Sequence, residues 1–372
     1  MTRPSDIIVV GAGIVGCAVA HELASRGASV EIVDERPVGM GATQASAGVL
    51  APYIEAREGS PLLELTVRSL SLYDRFMERV ASESGIAVEY RRNGTIDVAV
   101  NDGELRALRA IAALLARRGV PALMLDAQTV RAEEPQLGDR AVGGLVIESH
   151  GFVAAGELTR ALAAAARRQG AQLIERSRVR RISRLHGDMI VDTDRGSLTG
   201  NAVVLAAGSW SGEIAIDGVV SPVPVRPVRG QLLHLSWPGT RLRRVTWSGR
   251  CYLVPWDDGT LLVGATVEEA GFDERTTVAG VRELLEAVSE IVPGASAAGF
   301  LGARAGLRPA TADDLPVIGA SAVIPDLMYA TGHYRNGVLL APLTAQLVAD
   351  AMLEDRVDPL LAAVDPSRFG EL

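Results

Sequence analysis

Apolar positions along this chain switch between two periods, and the switches mark its elements. Residues 6–10 form a continuous apolar run behind a single acid, as a buried parallel strand does. Residues 14–25 carry helical spacing, and residues 29–33 return to a strand, which makes one βαβ unit. Residues 61–83 place Leu62, Leu65, Leu72, Phe76 and Val80 on or near one helical face. Strands are expected within residues 89–100 and at 172–175, and helices at 103–118 and 157–168. A hairpin is expected around His186-Gly187, followed by a strand over residues 202–206 that runs out at Gly208.

From residue 219 the pattern changes. Pro222, Pro224 and Pro227 precede a strand at 231–235, and strands 252–255 and 261–264 flank Asp257-Asp258-Gly259, a strong hairpin signal. Residues 277–292 read as a helix stopped by Pro293. A short strand reaches Tyr329-Ala330, and the last helix covers residues 337–353. The expected fold class is α/β: a discontinuous, Rossmann-like nucleotide-binding domain with an antiparallel-sheet substrate domain. Residues 1–88, 150–218 and 304–372 are assigned to the first and residues 89–149 and 219–303 to the second. No internal repeat is evident.

Composition removes whole classes of chemistry. At 372 residues the chain exceeds one compact core. A net charge of −8, with no basic run carrying interleaved aromatics, argues against a nucleic-acid partner. All 37 basic residues are arginine. Lysine Schiff-base catalysis and P-loop nucleotide hydrolysis of the GK[ST] type are therefore excluded. The five histidines show no ligand spacing, so no metal site is expected. Two cysteines, Cys17 and Cys251, suggest no disulfide framework and fit a reducing, cytoplasmic setting. The apolar stretch 7–20 lacks a strong basic leader, so neither a cleaved signal nor a transmembrane segment is expected.

The first concentrated motif is Gly11-Ala12-Gly13-Ile14-Val15-Gly16, placed between a strand and a helix. Gly11 permits the tight turn, Gly13 lets backbone approach a pyrophosphate, and Gly16 allows close helix–strand packing. Asp34 ends the second strand, where a carboxylate binds ribose hydroxyls and repels a 2′-phosphate. A second small-residue loop, Gly39 to Gly48, suits a long ligand passing close to backbone, or simply a flexible crossing. Near the end, Gly306-Leu307-Arg308-Pro309 and Gly332-His333-Tyr334-Arg335-Asn336-Gly337 bring two arginines and a helix start together. A guanidinium binds a carboxylate through two parallel hydrogen bonds. A helix start offers free N–H groups to a developing negative charge. Other uses stay open: Arg308 could pair with Asp313 or Asp314, Arg335 could brace its loop, and Tyr252 could be a core tyrosine.

Taken together, these segments resemble the FAD-dependent amino-acid oxidase superfamily of the D-amino-acid and sarcosine oxidases. Within it the likeness is to the glycine oxidases of thiamine biosynthesis. Beside the motifs above, it rests on Ala206 to Trp210, Cys251-Tyr252-Leu253-Val254-Pro255 and Gly264-Ala265-Thr266. The resemblance implies that Gly11, Gly13, Ile14, Val15, Gly16, Asp34, Glu35, Ala42, Thr43, Ala47, Gly48 and Val49 bind FAD. Val179 would sit near the adenine, and His333, Tyr334, Arg335, Asn336, Gly337, Val338 and Leu339 near the isoalloxazine. Arg308 would grip the substrate carboxylate, helped by Tyr252 and Arg335. In sarcosine-oxidase relatives a cysteine near the Gly-Leu-Arg-Pro segment tethers the flavin. None stands there in this chain, so the FAD is expected to be non-covalent.

The resemblance thus implies oxidation of glycine or another small amino acid by dioxygen, giving glyoxylate, ammonia and hydrogen peroxide. A homo-oligomer, with a tetramer among its forms, is also expected. The rival expectations are a D-amino-acid dehydrogenase that reduces a quinone, a sarcosine-type amine oxidase, an NAD-linked dehydrogenase, and a non-catalytic FAD-binding subunit of a heteromeric amine oxidase.

Overall fold

A computed structural model describes residues 5–54 and 59–372 of the chain. Two large sheets organise it. The first has nine strands, and its centre is parallel, in the order Gln172–Ile174, Val30–Val33, Ser5–Val10, Gly196–Leu205, Leu327–Thr331. The chain thus leaves the sheet after its first βαβ unit and returns from two distant points in sequence. The hairpin of Val179–Leu185 and Asp188–Thr193 turns at His186 and Gly187, both at positive φ.

Four helices pack on one face of this sheet: α1 (Ile14–Ser25), α2 (Pro61–Ser84), a later helix Ala155–Arg168, and the C-terminal helix Gly337–Glu354. Helix α1 and the C-terminal helix are apolar all round because both are sandwiched. By length and composition Gly337–Glu354 is apolar enough to cross a membrane, a test that a buried core helix also passes. Two-thirds of it, 67%, is buried inside the protein. Helix α2 begins with Pro61 at its first position and ends at Gly85 in the left-handed conformation, which explains its sharp limits.

The second sheet has eight strands, running from the edge strand Gly299–Ala310 through Arg226–Ser236, Thr260–Gly264, Tyr252–Pro255, Val245–Ser248, Thr95–Ala99 and Gly143–Ile147 to Leu123–Asp126. It is antiparallel, as expected, except where Val245–Ser248 pairs in parallel with Thr95–Ala99. That joint is where two separate insertions meet. The helix Val278–Ile291 covers one face through Leu284, Ala287, Val288 and Ile291. Cys251 and Leu253 point to that side, while Tyr252 and Val254 point to the other. The other face looks toward the nucleotide half, and the space between the two becomes the site.

Candidate active site

The two halves enclose a cavity of about 720 Å³. One end is built by the glycine loop after the first strand. Gly11 sits at φ +111°, and a side chain there would overlap the Ala206 carbonyl. A side chain on Gly16 would collide with the Gly11 carbonyl, so Gly16 packs helix on strand and does not line the cavity. Gly13 does line it, with only the Thr43 hydroxyl near the space a side chain would occupy. That hydroxyl accepts from the Ile14 N–H at 3.2 Å and draws the second small-residue loop onto the start of α1. Gly48, at φ +67°, lies where any side chain would strike the Val153 carbonyl.

Asp34 closes this end. Its carboxylate accepts from the Ala12 N–H at 2.6 Å and the Arg36 N–H at 2.7 Å. Burial raises its pKa, and the two backbone donors counter that. Both oxygens serve the backbone first, and each keeps a further lone pair for a ligand. Arg36 beside it was not singled out from the sequence. It lies over the Trp210 ring at 4.3 Å and pairs with both oxygens of Glu274, from the substrate half.

The far end is a side-by-side array on the second sheet. Register places Trp247 opposite Tyr252, Tyr252 opposite Gly264, Leu232 opposite Gly264, and Val228 opposite Arg308. Directly opposed residues share a face, so Trp247, Tyr252 and Arg308 all look into the cavity. Arg308 donates to the Thr266 carbonyl at 2.9 Å and also hydrogen-bonds Tyr252. Burial raises the Tyr252 pKa despite the opposing charges of Arg308 and Arg335, so its hydroxyl keeps a proton to donate. Trp247 lies 4.8 Å from the Tyr252 ring, centroid to centroid. Asp313, one of the two alternative partners considered for Arg308, is bound by Arg368 at 2.8 Å.

Between these ends runs the start of the C-terminal helix. Tyr334 takes a left-handed φ of +47° and donates its N–H to the Pro309 carbonyl at 2.8 Å. This ties the two C-terminal motifs together. Asn336 caps the helix without a side-chain bond, and Gly337, Val338 and Leu339 face the cavity with first-turn N–H groups that no helical carbonyl can take. His333 is buried, and its ring bonds the Thr344 hydroxyl at 3.0 Å. Burial pushes its pKa down to about 3, so the imidazole is neutral at working pH. Arg335 is exposed at the rim, with its guanidinium 5.3 Å from the Tyr334 ring.

Gly306 joins the ends. A side chain on it would press on Ala42 and Ala45 of the second loop, and Gln44 donates to the Ala305 carbonyl at 2.7 Å. Ser209 donates to the Leu307 carbonyl at 2.9 Å. The cavity therefore accepts a long ligand with a diphosphate at the α1 end and a flat, electron-accepting group beside Arg308 and Tyr252. Ile14, Val15, Glu35, Ala42, Thr43, Ala47, Val49 and Val179 line it as well. So do Trp247, Arg250, Thr66 and Glu283, which the sequence reading missed. Trp247 carried a usable signal, since Val245 and Trp247 alternate with the polar Thr246 and Ser248 on a strand adjoining Tyr252. Thr66 and Glu283 carried none, lying on helices whose facing partners are remote in sequence. Among the described residues no group of side chains could hold a metal ion.

Comparison with known proteins places this geometry. The sequence matches the family model described as FAD dependent oxidoreductase (DAO) over residues 6–351. It is 34% identical to the bifunctional protein ThiO/ThiG of Synechocystis sp., over 99% of this chain and 55% of that protein. The chain thus spans about half the length of the bifunctional relatives it matches. It is also 34% identical to the glycine oxidase of Geobacillus kaustophilus, over 94% of this chain and 93% of that enzyme. The crystal structure of glycine oxidase from the same organism superposes with a TM-score of 0.93 at 33% identity, covering 100% of this chain and 99% of that one.

Proposed function

The chain belongs to the DAO family of FAD dependent oxidoreductases, and from that premise we propose that it is a glycine-oxidase-type enzyme. The reaction is glycine + O2 + H2O giving glyoxylate + NH3 + H2O2, with other small amino acids as further substrates. When bound, FAD supplies the two-electron acceptor that dioxygen regenerates. The α1 amides and Gly13 hold its diphosphate, and Asp34 and Glu35 hold its ribose end. No cysteine stands at the segment where sarcosine-oxidase relatives tether their flavin, and the two cysteines, Cys17 and Cys251, are both buried, which supports non-covalent binding.

The observation that carries the reading is the Arg308–Tyr252 pair on the sheet face opposite the glycine loop. Arg308 binds the substrate carboxylate, and the Tyr252 hydroxyl donates to its second oxygen. Backbone acceptors at Thr266 and Arg229 hold the guanidinium in place. Arg335 at the rim adds a positive charge that draws the anionic end inward. Neutral His333 leaves the α-amine its own proton balance and moves no proton. The imine formed from the amino acid hydrolyses to the 2-oxo acid and ammonia, or passes to the thiazole branch of thiamine biosynthesis.

Anaerobic mixing with glycine, sarcosine and small D-amino acids tests this directly. The bound flavin should bleach with a small amino acid, and air should restore it with stoichiometric peroxide. Bleaching without peroxide in air would favour the dehydrogenase reading. Yellow protein that no amino acid bleaches would favour the non-catalytic subunit.

The proposal extends to organisation. Residues 1–88, 150–218 and 304–372 bind FAD and residues 89–149 and 219–303 bind substrate, with the boundary at 304 falling inside the continuous strand Gly299–Ala310. A homo-oligomer, with a tetramer among its forms, is part of the proposal; Phe300 and Leu301, 56% and 55% exposed on that edge strand, would suit a contact between subunits without setting their number. Two buried thiols with no disulfide support a reducing, cytoplasmic setting.

A further inference from the structure

The C-terminal helix contains Pro342, which has no N–H. Helical bonding would have that N–H donate to the Val338 carbonyl, so this carbonyl needs a partner from elsewhere. Helix α2 provides it. The Tyr73 hydroxyl donates to the Val338 oxygen at 2.5 Å. One turn earlier on α2, the Ser69 hydroxyl donates to the Leu339 oxygen at 2.6 Å and accepts from the Leu343 N–H at 3.4 Å. Two rungs of one helix are thus replaced by hydroxyls of another. Both donors are fully buried, at 0% exposure. The Tyr73 ring is wedged edge-on against Phe76 and stacked with Tyr90.

The position of these rungs matters. The Val338 carbonyl and the Leu339 N–H belong to one planar peptide group, so fixing one direction fixes the other. The Leu339 N–H lies in the first turn, where no helical acceptor exists, and Leu339 lines the cofactor cavity. A hydrogen bond to the carbonyl also polarises the N–H on the opposite side of the same peptide.

We propose that Tyr73 is a positioning residue for the cofactor: through the Val338–Leu339 peptide it aims and strengthens the N–H donor that faces the flavin. This rests on the reading above that the isoalloxazine lies against residues 333–339. The phenol retains its proton because burial holds its pKa well above the usual range. Removing the hydroxyl leaves ring packing intact but frees the peptide. Negative charge on the reduced cofactor is then less well stabilised, and FAD is held less tightly.

The test uses the holoprotein and three variants: Tyr73→Phe, Pro342→Ala, and the two combined. FAD affinity is measured by flavin fluorescence, and the two-electron potential by dye equilibration. Tyr73→Phe should weaken FAD about 3- to 10-fold and move the potential to more negative values. The double variant should recover both, because the N–H regained at position 342 supplies the missing partner of the Val338 carbonyl. A packing role gives no such rescue. Wild-type affinity and potential in Tyr73→Phe, or a loss that the double variant does not repair, overturns this inference alone. If Tyr73→Phe does not fold, the double variant decides: wild-type flavin binding supports the inference, and failure overturns it. Wild-type protein that takes up no FAD overturns the parent reading and this inference with it.

Discussion

Gly264 stands across the sheet from Tyr252, and the phenol lies over the place where a side chain at 264 would project. A Cβ there would come within 2.5 Å of the Tyr252 hydroxyl and ring. Gly230 stands in the same relation to the Arg308 guanidinium. Two glycines on neighbouring strands thus open a trough in which the Tyr252 and Arg308 side chains, the proposed substrate anchors, lie flat. Their absence of side chain is part of the site.

Gly264→Ala should therefore injure substrate binding without expelling the cofactor. The lost Tyr252 contact is a hydrogen bond to a charged group, worth about 1.5–3 kcal/mol. Steady-state kinetics should show KM raised by about 10- to 100-fold, with the flavin spectrum retained. An unchanged KM would contradict the role given to Tyr252.

Arg308→Ala removes the carboxylate anchor. Loss of one partner of a buried charged pair typically costs about 2–5 kcal/mol, so KM should rise at least 30-fold while FAD stays bound. Arg308→Lys should also be poor, because an ammonium cannot reproduce the two parallel hydrogen bonds or the contact to the Thr266 carbonyl. Kinetics like the wild type in either variant would refute the assignment.

At the other end of the cavity, Gly48→Ala forces a side chain onto the Val153 carbonyl at a left-handed φ. The strain is on the order of 1–3 kcal/mol, and it falls on the loop that holds the cofactor. Thermal unfolding followed by flavin fluorescence should show FAD released at a lower temperature than from the wild type.

Asp97 gives a pH prediction. It stands beside Trp247 on the cavity-side face, and burial, with the charge of Glu104 adding, pushes its carboxyl up to about 7. An unfolded aspartate titrates near 3.9. Between those values the folded chain holds more protons than the unfolded one, so stability falls as pH rises through the window. Asp97→Asn removes that loss. The variant should gain on the order of 1 kcal/mol above pH 7, about 2 °C in Tm, and the gain should vanish near pH 4. Melting curves at the two pH values decide it.

The parts of this molecule that were legible in its sequence are those whose cause is local. Helix α1 starts and stops where its glycines and apolar spacing require, and the Tyr252–Pro255 and Thr260–Gly264 hairpin turns on Asp257-Asp258-Gly259. Arg308 could be singled out because the Gly306-Leu307-Arg308-Pro309 segment resembles the family's own. The unreadable parts depend on chain segments far apart. Tyr73 meets Val338 across 265 positions, and Val245–Ser248 meets Thr95–Ala99 across about 150. Arg36 was not singled out, because its partner Glu274 lies 238 positions away. Gly16 matched its motif, but only packing shows that it braces the turn and does not line the cavity.

Gly306 and Arg308 are two residues apart on a single strand, a rise of about 7 Å. The first abuts the loop of Ala42 and Ala45, and the second is the carboxylate anchor of the proposed function. The reach from anchor to acceptor is therefore set by two residues of one strand and by the close packing of Gly306 on Ala42 and Ala45. Such a gauge measures substrates from their carboxylate. An α-amino acid meets it with its C–H bond, whereas a β-amino acid carries its amine one carbon further, a displacement of about 1.5 Å. Discrimination between them would then reside in the backbone of one strand, and widening the pocket would not erase it.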